Sequence, residues 1–250
     1  MHWRKLFYEE IDSTNLQARR LLDNGQGGPG LVVAASHQTR GRGRRRADWW
    51  DLPGKSLLAT LVLEGMTGVQ ATRLLSAAAA AAVSRAVGAY PLIKWPNDLV
   101  WGRRKLAGVL AESLPDGTVL AGIGINVDYL PGELPDPEAY ASLSIMGPLK
   151  VGPAGLLDML LEEVERRLPL GPEAWADECQ ALLAFRGEKA CLRPPLCVSG
   201  REDLAGKTLR GRVLGTDSEG LLLLETLDGV LRVASGDLYA PLKSGEEAAR

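Results

Sequence analysis

The chain has 250 residues, 46% hydrophobic and 24% charged, with a formal net charge of −2, the profile of a soluble globular protein with one large domain or a large and a small one. A chain so close to neutral is a poor match for a surface that tracks nucleic-acid backbone along its length. Two histidines and three cysteines without a Cys-x-x-Cys pair supply no zinc-site spacing and fit a reducing compartment, with buried packing expected at Cys179, Cys191 and Cys197.

KLFYEEI reads as a first strand, and Asp12, Ser13 and Thr14 are good N-caps for the helix NLQARRLL that follows. DNGQGGPG is a loop, and LVVAAS is a short apolar strand leading into RGRGRRR at 40–46. The next strand, SLLATLVL, precedes an alanine-rich helix from about Val69 to Val87, dense enough in alanine to be buried and to let neighbours pack closely. LIKW, LVW, LAGVLAES and VLAGIGINV are strand-like. A proline-rich connection (131–153) leads to the helix AGLLDMLLEEVERRL and a further helix near 172–184. From about Gly187 short alternating strands with glycine turns, KTLRGRVLGTDSEGLLLLETLDGVLRVASGDL, indicate a small barrel or sandwich, and the tail KSGEEAAR is expected to fray. The expected division is 1–186, an α+β domain with a mixed sheet flanked by helices, and 187–250, a β domain with its tail. The first residues carry no apolar signal core and no apolar run reaches membrane-spanning length, so a cytoplasmic protein without a membrane partner is expected.

Several motifs fail. PGKS at 53–56 has Trp49 where a phosphate loop needs glycine, and it precedes a strand. GIGIN at 122–126 lacks the third glycine and the helix of a dinucleotide fingerprint. Neither His2 nor His37 has a triad setting. What remains is a set of polar segments hung on apolar strands. STN at 13–15 is an N-cap or a donor set. KWPNDLVW at 94–101 places Lys94, Asn97 and Asp98 about a proline, as a turn or as a site. Lys105 in RRKLAGVLAE is a solvated charge or an anion ligand, with Ala107 and Gly108 giving a ligand access to backbone. The five arginines of 40–46 are a solvated surface run or are ordered by something anionic, because like charges so close repel.

Taken together, STN at 13–15, QTRGRGRRRADWW at 38–50, KWPNDLVW at 94–101, RKLAGVLAE at 104–112 and GIGINV at 122–127 resemble the biotin protein ligase family, in that family's order and over nearly the whole chain. The resemblance implies a biotin/lipoate ligase catalytic fold related to class II aminoacyl-tRNA synthetases, followed by an SH3-like barrel. It implies formation of biotinyl-5′-AMP from biotin and ATP, with Mg²⁺ accompanying ATP, then transfer to a lysine of a biotin carboxyl carrier protein. Ser13, Thr14, Asn15, Gln38, Gly108 and Gly124 are then expected at biotin, with Arg42 and Lys105 on its carboxylate. Gly41, Arg42, Gly43, Arg44, Arg45, Trp49, Asn97, Asp98, Lys105 and Asn126 are expected at the nucleotide. Trp50 competes with Trp49 to stack on adenine. Lys105, Arg42, Arg44 and Asp98 carry the chemistry, Asp98 by deprotonating the incoming lysine. Gly41 and Gly43 free the loop to close over an adenylate that water would destroy.

The chain departs from the family pattern after Arg45. Arg46, Ala47 and Asp48 stand where Gly-Arg-x is usual before Trp49, with Arg46 placed to substitute from one position earlier. The catalytic pattern starts within ten residues of Met1, which implies the ligase-only type without a DNA-binding domain and without DNA as partner. A homodimer is possible, with TVLAGIGINV as an edge or an interior strand. Lipoate- or octanoate-protein ligases and a non-enzymatic nucleic-acid module are the alternatives.

Overall fold

The structure, a computed structural model, describes residues 2–130 and 132–239. They fall into two compact units, one of Met1–Ile93 and Asn97–Cys179, the other of Lys94–Pro96 and Gln180–Arg250.

The first unit is built on a seven-stranded mixed sheet in the order β1-β2-β3-β7-β6-β5-β4. Its strands are β1 (Arg4–Ile11), β2 (Leu31–Gln38), β3 (Ser56–Leu63), β4 (Leu92–Lys94), β5 (Asp98–Trp101), β6 (Arg104–Ser113) and β7 (Val119–Asn126). β1 runs parallel to β2, with helix α1 (Thr14–Asp23) as the crossover, while β2–β3, β3–β7, β7–β6 and β6–β5 are antiparallel. β3 and β7 are buried at every position, so they read as continuous apolar runs: both their faces are covered and alternation has no solvent side to report. β7 is therefore interior, between β3 and β6, and it cannot serve as the pairing edge of a dimer.

Helix α2 (Gly68–Val87) carries the six consecutive alanines Ala77–Ala82, all buried. It packs against β6 and β7 on one side and α4 (Pro153–Arg167) on another, which small side chains permit without voids. Its start is closed by a capping box, Thr67 Oγ1 accepting from Gln70 N–H and Gln70 Oε1 accepting from Thr67 N–H, a Thr-x-x-Gln signal legible before the first apolar turn. Gly88 ends it at φ 77°, the left-handed conformation that favours glycine at this position. The proline-rich connection contains one short helix, α3 (Leu143–Met146), and a stretch at Tyr140 that bridges to Lys105; neither carries a periodicity that would announce it.

Helices α2, α4 and α5 (Gly171–Ala181) are tied through Glu163 and Arg167. Glu163, only 4% exposed, lies 2.6 Å from Arg167 Nη1, 2.9 Å from Arg85 Nη1 and 3.3 Å from Arg166 Nη1, and Arg167 Nε reaches Glu178 on α5 at 2.8 Å. Burial opposes ionisation of Glu163, but the guanidiniums outweigh it and hold its carboxyl below the usual glutamate range. Glu163→Ala leaves the half-buried Arg167 with Glu178 alone and is expected to cost about 3 kcal/mol in denaturant melts. Because the folded-state pKa is depressed, the contribution is present in full above the unfolded value and is lost as pH falls through the folded one. The wild type should therefore lose more stability than the variant below about pH 4.5.

In the second unit β8 (Lys189–Val198), β9 (Leu209–Thr216), β10 (Leu222–Thr226) and β11 (Gly229–Tyr239) close a barrel in the order β10-β11-β8-β9. This resolves the choice between barrel and sandwich. β8 is the strand that the alternating pattern missed, because Pro194 and Pro195 interrupt it and demote it as a strand; its pairing with β11 shifts register twice across that region. Leu192, Leu196, Val213, Leu222, Leu224, Val233 and Leu238 fill the barrel around Trp95, whose indole N–H donates to Gly220 O at 3.0 Å. The expectation that all three cysteines are buried is corrected: Cys179 is buried, Cys191 half-buried and Cys197 exposed, since alternation along β8 turns Cys197 outward between buried Leu196 and Val198. The KSGEEAAR tail lies outside the described residues. No helix among the described residues is long and apolar enough to cross a membrane.

Candidate active site

One face of the sheet is stripped of side chains where β6 and β7 pair. Gly108 pairs with Gly124, and Gly122 stands between Leu110 and Thr60. With a period of two, these glycines share a face with Thr60, Asp98 and Glu112. Each cleared position is occupied by a specific side chain. A Cβ on Gly122 would sit 2.3 Å from Asn15 Oδ1, one on Gly124 2.5 Å from Trp49 Cε2, and one on Gly108 3.2 Å from Lys105 Nζ and 3.3 Å from Asp98 Oδ1. The two glycines expected to admit a ligand to backbone therefore also seat Trp49 and the Lys105–Asp98 pair. Ala107 gives no such access, being fully buried on the opposite face.

Lys105 reaches this face through a bulge. The pairing of β5 with β6 runs Leu99 to Ala107 and then Val100 to Lys105, leaving Leu106 as the extra residue. Without it Lys105 would point to the opposite face; with it the side chain joins Asp98, the ammonium 2.9 Å from Oδ1. The Tyr140 stretch anchors the lysine backbone, Lys105 N donating to Ala139 O and Ala141 N to Lys105 O. Asn126, 4% exposed, serves that anchor by donating its amide to Ala141 O at 3.0 Å.

At the other end lies the start of α1. Ser13 occupies the N-cap position but its side chain makes no capping bond; Asp12 accepts from Ser13 N–H instead. Gln38 Oε1, at the end of β2, accepts from Thr14 N–H at 2.8 Å. Thr60 Oγ1 lies 2.6 Å from Asn15 Oδ1 and 2.8 Å from Thr14 Oγ1. Asn15 Nδ2 reaches Glu112 Oε2 at 2.7 Å. A carboxylate only accepts, so it fixes the Asn15 amide with its oxygen toward the Thr60 hydroxyl. Ser13, Thr14, Asn15 and Thr60 are all at most 5% exposed. The N-capping reading thus gives way to a polar chain that joins α1, β2, β3 and β6. Beneath it, buried Asp51 meets His37 Nδ1 at 2.8 Å, and burial pushes its carboxyl above the usual aspartate range.

The arginine segment is a hairpin. Trp49 N donates to Gly41 O, Gly43 N to Ala47 O, and Arg42 bridges to Asp48. Arg45 turns the tip at φ 55°. A Cβ on Gly41 would come 2.4 Å from Trp49 O, so this glycine is required for close strand approach as well as for freedom. Arg42 Nη2 reaches Glu112 Oε1 at 3.3 Å, and Arg44 Nη1 donates to Asn97 Oδ1 at 3.2 Å. Ala47 takes part through its backbone, while the Arg46 side chain, expected to substitute there, lies outside the described residues. Trp49, not Trp50, joins the site: its ring lies 5.5 Å from the Lys105 ammonium, and its buried indole N–H finds no acceptor among the described residues. Trp50 packs on Tyr129. Lys94 and the Trp95-Pro96 pair belong to the second unit, so KWPND contributes only Asn97 and Asp98 to this cluster.

The arrangement is a glycine-floored strip with hydrogen-bonding groups at one end, Lys105, Arg44 and an indole at the other and Arg42 on Glu112 above it, which suits a mostly apolar acid whose carboxylate is activated. Among the described residues no three His, Cys, Asp or Glu side chains converge as a metal site. Sequence reasoning passed over Thr60, Glu112 and Gly122. A lone polar residue in the apolar run SLLATLVL was the available signal for the first; the others lay inside quoted motifs with no role.

The model of the Biotin/lipoate A/B protein ligase family matches residues 8–128. The Biotin--[acetyl-CoA-carboxylase] ligase of Mycobacterium tuberculosis is 31% identical over 251 residues, covering 94% of this chain and 89% of that protein. The Bifunctional ligase/repressor BirA of Bacillus subtilis is 30% identical over 243 residues, covering 93% of this chain and 73% of that protein. In fold, the chain is similar to the biotin protein ligase from Aquifex aeolicus in complex with biotin and ATP, with a TM-score of 0.75 over 94% of this chain and 97% of that one at 23% identity. The chain belongs to the Biotin/lipoate A/B protein ligase family, among its biotin protein ligases.

Gly122→Ala places a methyl group on Asn15 and is expected to destabilise the fold by about 1–3 kcal/mol in urea melts. The same change should cost clearly less in an Asn15→Ala background, because the clashing partner is gone. Additive costs would mean that Asn15 is not what Gly122 accommodates.

Proposed function

We propose that the chain joins biotin to ATP, releasing pyrophosphate and forming biotinyl-5′-AMP, and then passes the biotinyl group to one lysine of a biotin carboxyl carrier protein, that of acetyl-CoA carboxylase or a related carboxylase. The observation that carries this reading is the glycine-cleared strip, with Thr14, Asn15 and Gln38 at one end, Lys105, Asp98 and Arg44 at the other, and Arg42 held above it on Glu112.

Biotin is apolar along its chain and neutral at its ureido ring, so Ser13, Thr14, Asn15 and Gln38 recognise the ring by hydrogen bonds while Gly108 and Gly124 let Lys105 and Trp49 sit close to the sheet beside the body. In the first step a biotin carboxylate oxygen bonds to the α-phosphorus as the bond to the β-phosphate oxygen breaks. Lys105 and the forked donors of Arg42 and Arg44 meet the negative charge that gathers there. Arg45, Gly41 and Gly43 complete the hairpin over the phosphates, and Trp49 offers a face for adenine. Asn97 and Asp98 lie beside the ribose and phosphate, and Asn126 supports the Lys105 anchor. Mg²⁺ enters as part of the nucleotide substrate, held by its phosphates. In the second step the uncharged amine of the carrier lysine attacks the acyl carbon, the bond to AMP breaks, and Asp98 takes the proton.

The inward contacts of Arg42 and Arg44 and the net charge of −2 support an enzyme over a nucleic-acid module or a repressor. An ATP-using reaction on a carboxylase subunit supports a cytoplasmic location. A homodimer formed edge to edge would use β1, an outer strand whose Phe7 is 61% exposed.

Exchange of pyrophosphate into ATP tests the first step without the carrier. Exchange should appear with biotin and not with lipoate or octanoate; the reverse result would move the chain to the lipoate ligases. Asp98→Ala should keep measurable exchange while slowing transfer to the carrier by about 100-fold, the typical weight of a general base. Equal transfer rates in variant and wild type would remove Asp98 from that role.

A further inference from the structure

We infer that Glu112 is a positioning residue of this site, coupling the arginine hairpin to the acid-binding pocket; the inference rests on the ligase reading above. Glu112 lies on β6, on the same face as Gly108, and its two oxygens serve different elements. Oε2 takes the Asn15 amide of α1 at 2.7 Å, and Oε1 faces Arg42 of the hairpin at 3.3 Å. Adenylation gives no reason for a carboxylate here. Beside a site for a carboxylate and a triphosphate, a fixed negative charge opposes binding. Its presence is explained by what it holds.

The two contacts differ in kind. The bond to Asn15 is short and its amide belongs to a residue only 3% exposed, continuous with Thr60, Thr14 and Gln38. The contact to Arg42 is longer than a normal charge-assisted bond, and the arginine side chain is 43% exposed. Glu112 is thus firmly seated on the pocket side and loosely engaged on the hairpin side. A seated acceptor keeps Arg42 over the strip, so fewer conformers are lost when the arginine takes a carboxylate, and the looseness lets it turn to that ligand. Any change in the set of Asn15 on binding the ring is passed to the hairpin by the same carboxylate.

The test uses Glu112→Gln, whose carbonyl still accepts from Asn15 but carries no charge for Arg42. Biotin KM in pyrophosphate exchange should rise about fivefold, with kcat changed less than about twofold, since the group acts before the chemical step. Glu112→Asp, which keeps the charge, should recover part of the affinity. Biotin binding by calorimetry should give a non-additive cycle, with Glu112→Gln adding little once Arg42 is alanine. An unchanged or lower KM, or additive effects with Arg42→Ala, would overturn the inference. A wild type that exchanges with no acid would instead overturn the ligase reading itself, and the two failures are told apart by the wild-type control.

Discussion

The site depends on the absence of side chains at Gly108, Gly122 and Gly124. Two adjacent strands of a sheet normally carry a continuous layer of side chains on each face, which would keep side chains from other elements off the backbone. Here the layer is removed along a strip on one face, while the opposite face keeps Val109, Ala111, Ile123 and Ile125. Asn15 occupies the space over Gly122, Trp49 that over Gly124, and Lys105 with Asp98 that over Gly108. A hydrogen-bonding amide, an aromatic surface and a cation–carboxylate pair are thereby set side by side on one face by three missing methyl groups. Larger residues at these positions would push the helix start, the tryptophan and the lysine out of mutual reach.

Charge is handled by the same economy of placement. The arginine-rich segment folds back on itself through backbone bonds at Gly41, Gly43 and Ala47. Arg42 and Arg44 then meet acceptors on different strands, Glu112 on β6 and Asn97 at the head of β5. Exchangeable partners of this kind leave the guanidiniums oriented toward the strip yet able to turn to a phosphate or carboxylate.

Most of the elements were legible in the sequence because their patterns are local. The strands around 31–38, 56–63 and 119–126, the alanine helix and the pair of later helices follow from apolar runs, helical spacing and glycine or proline breaks. β8 was missed because two prolines inside a strand contradict the local rule, and closure of the barrel supplies the pairing that overrides it. The order of the sheet was not legible, since nothing in VLAGIGINV distinguishes an edge strand from an interior one until β3 and β6 flank it.

The motifs by themselves determined the family and the identity of its charged groups, since residue type and spacing are enough to carry that resemblance. Which of those groups meet was decided only in three dimensions. A one-residue bulge at Leu106 turns Lys105 onto the face of Asp98, and a hairpin rather than an extended run brings Arg42 to Glu112. Trp49 is chosen over its neighbour Trp50 because only Trp49 meets the gap at Gly124. Thr60 and Glu112 gained a role only when residues 45 or more positions apart in the chain came within hydrogen-bond distance. The physical reason is common to all of these: the side chains that matter touch across strands, and register, which alternates faces residue by residue, is set by the folded sheet.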